Sequence, residues 1–222
     1  SSAALSVATV ACLSALSGKI EEAEIARRAF ETELAAQDGR ASPTDTSIAT
    51  HGGGILLDTS EGAGHLWSFS RNDRTWHVHD QPVAPLSLVI GNVGRRAPTG
   101  EMVAKAATFV QRSSFGRDVV REIGQVARRG RTALSQGDLP ALGECMNRAH
   151  DLLTILGVST PQLDALVQAC RKRSFGAKLT GAGGGGCMVA LTDAPREVAR
   201  IVEERGALAY VLSVPEPGVR IQ

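Results

Sequence analysis

The chain has 222 residues, 43% of them apolar and 4% aromatic, with 24 lysines and arginines against 23 acids. That length allows one large domain or two modest ones, with a core that removes about 70% of the unfolded chain's surface from water. A net charge near zero supplies no general field for nucleic acid or for an anionic membrane, so a charged ligand has to be held by local groups.

Residues 3–17 predict a helix with Ser1 and Ser2 at its N-terminus and Gly18 as its stop, buried by composition. The stretch imitates a signal-peptide core, but no basic segment stands ahead of it and it is too short to span a bilayer. A second helix is predicted over 20–36, with Ala23, Ile25, Ala26, Phe30 and Leu34 mostly on one face. Residues 38–46, Asp-Gly-Arg-Ala-Ser-Pro-Thr-Asp-Thr, predict an exposed turn before Ile48 and the His51-Gly-Gly-Gly break. Alternation around Leu66, Trp67, Phe69, Trp76 and Val78 predicts short antiparallel strands within 55–79, turning near 71–74.

A domain boundary is expected at 81–85. Beyond it the pattern predicts a strand at 86–90 and helices at about 99–112, 115–135 and 139–156. Ser159-Thr160-Pro161 is a helix start leading into 162–173. Strand-like segments at 175–179 and 187–191 flank a glycine loop, followed by a helix near 195–205 and strands near 207–214 and 219–221. The cysteines, Cys12, Cys145, Cys170 and Cys187, lie far apart, with no Cys-x-x-Cys pair and no metal-ligand rhythm with the histidines. They read as reduced thiols of a cytosolic protein.

Three groups of residues bear on chemistry. Ser1 and Ser2 sit where unpaired helix amides favour an anion and where hydroxyls can ligate Mg²⁺, although plain helix capping explains them equally. Glu33, late in a helix, and Asp45, in the predicted turn beyond it, suit a metal ligand and a group facing a substrate hydroxyl; solvated surface acids are the plainer reading. The third group is 178–187, Lys-Leu-Thr-Gly-Ala-Gly-Gly-Gly-Gly-Cys, where glycine surrenders side chains so that bare backbone can approach a phosphate or another backbone. A flexible hairpin tip is the alternative, and the ordered flanks argue against it.

Ser1-Ser2-Ala3-Ala4 resembles the tail of the Gly-Leu-Gly-Ser-Ser-Ala phosphate loop of the GHMP kinases, the family of galactokinases, homoserine kinases, mevalonate kinases and phosphomevalonate kinases. Residues 178–187 resemble that family's third motif, in a wording most similar to its mevalonate kinase branch. Ala41-Ser-Pro-Thr-Asp-Thr-Ser47 with Thr50-His-Gly-Gly53 resembles the segment that carries the catalytic aspartate, above all in archaeal-type enzymes. Gly157-Val-Ser-Thr-Pro-Gln-Leu-Asp164 is similar to the stretch before the last helix of that branch.

The resemblance covers essentially the whole chain. It implies an α+β fold in two parts: the end of the nucleotide-binding N-terminal domain over 1–80, then the C-terminal α/β sandwich domain over 81–222. It implies ATP and Mg²⁺ as cofactors and phosphorylation of mevalonate in isoprenoid biosynthesis, by a cytoplasmic homodimer with no nucleic-acid or membrane partner. Residue by residue, Asp45 would be the catalytic aspartate, and Ser2 and Glu33 the Mg²⁺ ligands. Ser1, Ser2, Gly181, Gly183, Gly184, Gly185 and Gly186 would serve the nucleotide phosphates, and Ser42 and Thr99 would be polar supports. The Glu33-to-Asp45 spacing is one residue longer than the usual pattern, which leaves Glu31 as a substitute. The resemblance also implies that a lysine and the first glycines of the phosphate loop lie upstream of Ser1, so that the printed chain lacks an N-terminal segment. Other readings are a related substrate, phosphomevalonate or the 3-hydroxyl of mevalonate, and a non-catalytic sensor on the same fold.

Overall fold

The computed structural model describes residues 2–18, 21–37, 39 and 41–220, with residues 95 and 96 described by their backbone only. The chain divides into two compact units, Ser1–Val83 with Pro215–Gln222, and Ala84–Val214. The expected division at 80/81 did not include the return of the last segment to the first unit. An isolated bridge between Gly52 and Pro217, and a bond from Val219 N to Thr50 O (3.0 Å), tie that segment down.

The first unit comprises α1 (Ser2–Leu16), α2 (Glu22–Ala36) and α3 (Pro43–His51), then β1 (Ile55–Asp58), β2 (His65–Arg71) and β3 (Arg74–Asp80). Its strands form an antiparallel sheet in the order β1-β3-β2, turning between β2 and β3 at Asn72, whose φ is 51°. Phe30 of α2 meets Phe69 edge-on at 5.1 Å and joins Ala26, Trp67 and Val78 in a core between helix and sheet.

Four expectations fail here. Helix α1 is apolar nearly all round, yet only the stripe Ala3, Val7, Ala11 and Ser14 is buried, while Leu5 and Leu16 stand 71% and 86% exposed. Composition without an amphipathic pattern does not say which face packs. On α2 the buried stripe is Ile25, Ala26, Ala29, Phe30 and Glu33, which leaves Ala23 exposed. The predicted turn at 38–46 gives way to α3 from Pro43, because Ser42 is an N-cap whose Oγ accepts from Thr44 N and Pro43 brings a helix-ready φ to the first turn. The strand predicted at 219–221 does not form at Val219 and Arg220, and residues 221 and 222 lie outside the described residues.

The second unit comprises β4 (Leu86–Arg96), α4 (Thr99–Arg112), α5 (Ser114–Gln136), α6 (Leu139–Ile155), α7 (Pro161–Arg171), β5 (Gly176–Thr180), β6 (Gly185–Leu191), α8 (Pro195–Glu204) and β7 (Leu208–Val214). Its antiparallel sheet runs β5-β6-β4-β7. Val89, Leu179 and Met188 from the sheet pack with Leu163 and Val167 of α7 and Val198 and Val202 of α8. Strand β5 is an edge, and α6 closes on it with unusual intimacy. A Cβ on Gly176 would lie 2.0 Å from Gly143 O, so only glycine on both partners allows the backbones to approach this way. Among the described residues no helix is long and apolar enough to cross a membrane.

Candidate active site

In the first unit, α1 and α2 meet through Val7, Ala11, Ile25 and Ala29. Side chains this small bring the two helices close, and a polar cluster forms across the same contact. Ser2 Oγ donates to Glu33 Oε2 at 2.9 Å, Ser6 Oγ to Glu33 Oε1 at 2.7 Å, and Gln37 Nε2 to Glu33 Oε2 at 2.7 Å. Glu33 is only 5% exposed. Burial alone raises its pKa, but the bonds from Ser6, Ser2 and Gln37 outweigh it and hold the carboxyl below its ordinary 4.5. Glu31, the substitute the spacing allows, is exposed and paired with Arg27. Glu33 is therefore the acid that α2 brings to Ser2.

Asp45 stands in the first turn of α3, exposed, and no described side chain bonds to it. Ser42 is also exposed; its Oγ lies 3.3 Å from Thr44 N and 2.8 Å from Thr44 Oγ1. Helix α3 packs on α1 and α2. Its inner side is fixed by buried Thr46, Ser47 and Thr50, with Trp67 Nε1 donating to Ser47 Oγ at 3.4 Å and Thr50 Oγ1 to Thr46 O at 2.8 Å. The structure thus joins Ser2 to Glu33 directly and sets Asp45 on an outward turn of the same three-helix layer. Ser1 lies outside the described residues.

One ionised carboxylate beside one hydroxyl is an all-oxygen donor set of the kind Mg²⁺ takes, since this ion keeps several waters and completes its shell with substrate phosphates. Ser2 and Glu33 fit such an ion as partial ligands. Among the described residues no group of three or more His, Cys, Asp or Glu is placed to cage a metal.

In the second unit, residues 181–184 connect β5 to β6, whose first residues, Gly185 and Gly186, complete the glycine loop; the two strands pair from Thr180↔Cys187 onward. All five glycines of the loop have positive φ, from 70° at Gly184 to 106° at Gly185. Their surroundings differ sharply. A Cβ on Gly183 would lie 2.0 Å from Val158 O, and one on Gly184 would lie 2.7 Å from Ala97 Cβ and 2.8 Å from Met102 Sδ. Gly184 N donates to Val158 O (2.8 Å) and Gly184 O accepts from Ala97 N (2.9 Å). Gly181 is exposed with open space around it, while Gly185 and Gly186 are buried in the start of β6. The loop is therefore a lashed structure rather than a free tip, with Gly181 as its bare exposed end. Thr99 opens α4 and is exposed, with no side-chain hydrogen bond to the described residues, two positions beyond Ala97. Lys178 Nζ donates to Leu179 O at 2.7 Å, and burial lowers its pKa.

The sequence reading missed Ser6 and Gln37. Both stand one helical turn from a residue it had singled out, Ser6 from Ser2 and Gln37 from Glu33, so spacing along the helices carried the signal. It also missed Ala97, Met102 and Val158, which hold the loop and carry no chemical signature of their own.

Two family models match the chain, GHMP kinases N terminal domain over residues 1–53 and GHMP kinases C terminal over 131–208. The chain belongs to the GHMP kinase family. It is 32% identical to a mevalonate kinase of Pyrococcus furiosus, over 100% of this chain and 64% of that protein. To a mevalonate kinase of Methanothermobacter thermautotrophicus it is 35% identical, over 86% of this chain and 58% of the relative. The chain thus spans less than two thirds of the length of these relatives. Among solved structures it is similar to L. major mevalonate kinase in complex with R-mevalonate, with a TM-score of 0.81, 26% identity, and coverage of 98% of this chain and 66% of that one. Within this member of the GHMP kinase family the α+β architecture read from the sequence holds in both units.

Proposed function

We propose that this chain belongs to an ATP-dependent kinase that phosphorylates the primary hydroxyl of mevalonate. The observation that carries the reading is its likeness, from end to end, to mevalonate kinases. Phosphoryl transfer asks mainly for positioning and for stabilisation of charge, and the parts described suit that demand. Asp45, exposed and without a described partner, takes the hydroxyl proton as the substrate oxygen bonds to the γ-phosphorus and the bond to ADP breaks. Ser42 caps the turn that presents it. Ser2 and Glu33 would hold Mg²⁺, which would neutralise phosphate charge; Ser6 and Gln37 keep the Glu33 carboxylate ionised and aimed.

The role of Ser1 beside Ser2 at the nucleotide phosphates rests on the family resemblance alone, since Ser1 lies outside the described residues. The loop of the second unit offers backbone to the nucleotide phosphates at Gly181, while Gly183, Gly184, Gly185 and Gly186 give it its shape. Thr99 lends a hydroxyl beside the residues that hold the loop. Cytoplasmic location and a homodimer are part of the same proposal and rest on the family resemblance. The test is ADP release with mevalonate, phosphomevalonate, homoserine and galactose in parallel, on residues 1–222 and on the chain with any segment its gene encodes ahead of Ser1. Turnover with mevalonate above the other three supports the reading. ATP binding without turnover on any of them would replace it with a sensor.

A further inference from the structure

His150 is 2% exposed, on α6, and belongs to none of the groups assigned above. Its Nδ1 accepts the Leu179 N–H at 3.1 Å, and its Nε2 lies 3.1 Å from Asp164 Oδ1. An atom that accepts from an amide carries no proton, so these contacts specify the tautomer with hydrogen on Nε2, donating to Asp164. Asp164 Oδ1 also accepts from the Ser159 hydroxyl and from Thr154 Oγ1 (3.3 Å), which fixes the carboxylate that fixes the ring.

The backbone group at the other end of this relay belongs to an edge strand. Bonds to β6 satisfy only one side of β5, and α6 supplies acceptors to the other: Asn147 Oδ1 takes the Ala177 N–H at 2.9 Å, and His150 takes that of Leu179. Leu179 stands two residues before Gly181. The far end of the loop is held by Val158 O, in the connection between α6 and α7. One rigid corner, residues 150–164, therefore grips the glycine loop at its entry and at Gly184.

We propose that His150 is a positioning residue for the glycine loop: as the neutral Nε2–H tautomer it holds the strand that feeds the loop, and uptake of a proton on Nδ1 releases that hold. A protonated Nδ1 is a donor facing a donor, so the Leu179 contact turns from a bond into a repulsion. The charged groups that act on the ring are Asp151 on its own helix and Asp164 and Arg171 from α7; β5 carries Lys178, bonded to Leu179 O, and α5, which packs on α6, carries Glu122, engaged by Arg148. Burial first and Arg171 second depress the pKa of His150 below its ordinary 6.5, against Asp164 and Asp151, so the neutral form is the working one. That the loop serves a nucleotide rests on the function proposed above; the grip itself does not.

The experiment is nitrogen-detected NMR of the imidazole, with amide exchange at Leu179, on the protein without nucleotide. The expected result is hydrogen on Nε2 and a bare Nδ1 at neutral pH, and a Leu179 protection factor, the exchange rate corrected for its intrinsic pH dependence, that drops as pH falls through the titration of His150. His150→Leu is expected to accelerate that exchange roughly tenfold at neutral pH. His150→Gln, which offers a carbonyl to Leu179 and an amide to Asp164 but does not titrate, is expected to restore protection and remove the pH response. In ATP turnover, His150→Leu raises the KM for ATP several-fold with little change in kcat. A proton on Nδ1 at neutral pH, or a Leu179 protection factor indifferent both to pH and to His150→Leu, overturns the proposal. If the leucine variant does not fold, the wild-type tautomer and titration decide it alone. A kinase reading that fails for lack of turnover leaves these NMR results standing, so the two failures are distinct.

Discussion

Gly183→Ala and Gly181→Ala separate the two jobs of the glycine loop. Both positions have left-handed φ, +84° and +80°, which costs an alanine about 1–2 kcal/mol wherever it sits. At Gly181 the new methyl meets nothing within 4 Å, and that strain is the whole effect on stability. At Gly183 it lands 2.0 Å from Val158 O, a backbone atom in a connection tied by Val158 N to Leu153 O at 3.2 Å. Either partner that retreats stretches the Gly184-to-Val158 bond, worth about 1 kcal/mol, so the total for Gly183→Ala is about 2–3 kcal/mol. The difference of about 1 kcal/mol corresponds to a Tm lower by about 2–4 °C than that of Gly181→Ala. Thermal melts of the two variants beside wild type measure it. In turnover the order reverses: Gly181→Ala, on the exposed backbone, raises the KM for ATP more than its small loss of stability accounts for. Equal melting shifts would refute the claim that Gly183 is glycine because of Val158.

Asp45→Asn is expected to lower kcat by about 10²–10⁴-fold with the KM for ATP nearly unchanged, measured by steady-state ADP release; wild-type kcat would remove Asp45 from the reaction. Glu33→Gln leaves three donors facing a partly donating amide and is expected to cost about 2 kcal/mol in urea melts, whereas Glu31→Gln, at an exposed ion pair, costs about 0.5 kcal/mol or less. Because the folded pKa of Glu33 is depressed, its stabilisation is present above about pH 4.5 and is lost as pH falls through the folded value. Acid titration of stability is therefore expected to be shallower in Glu33→Gln than in wild type; identical profiles would contradict the buried ionised carboxylate. Cys12 is exposed, while burial pushes the thiol of Cys170 up to about 11. A thiol reagent is expected to label Cys12 readily and Cys170 only after unfolding, as read by mass spectrometry, and equal labelling in the native protein would contradict this burial.

Much of the second unit was legible because its elements announce themselves locally. The helix predicted over 99–112 coincides with α4, and those at 115–135 and 139–156 differ from α5 and α6 by a residue at each end or less. Ser159-Thr160-Pro161 does start α7, with Thr160 Oγ1 accepting from Leu163 N at 3.2 Å. The glycine loop was legible as a connection between two strands, but not the division of labour within it, since what a glycine packs against is set by distant residues such as Val158 and Ala97.

Helix α3 was misread because proline and glycine nearby outweighed the capping signal of Ser42. The choice of Glu33 over Glu31 depends on which face of α2 meets α1, a tertiary fact that spacing alone does not carry. His150 was passed over for a related reason. A lone histidine in a helix has no signature until an unsatisfied edge strand stands beside it.

The most direct test of the proposed reaction is the identity of its product. Mevalonate and ATP incubated with the protein and followed by phosphorus NMR with proton coupling are expected to give a phosphomonoester split by the two protons of the primary carbon, together with an equal amount of ADP. A phosphate on the tertiary 3-hydroxyl, which has no such coupling, or ADP formed only from phosphomevalonate, would contradict the assignment and give the chain to another branch of its family.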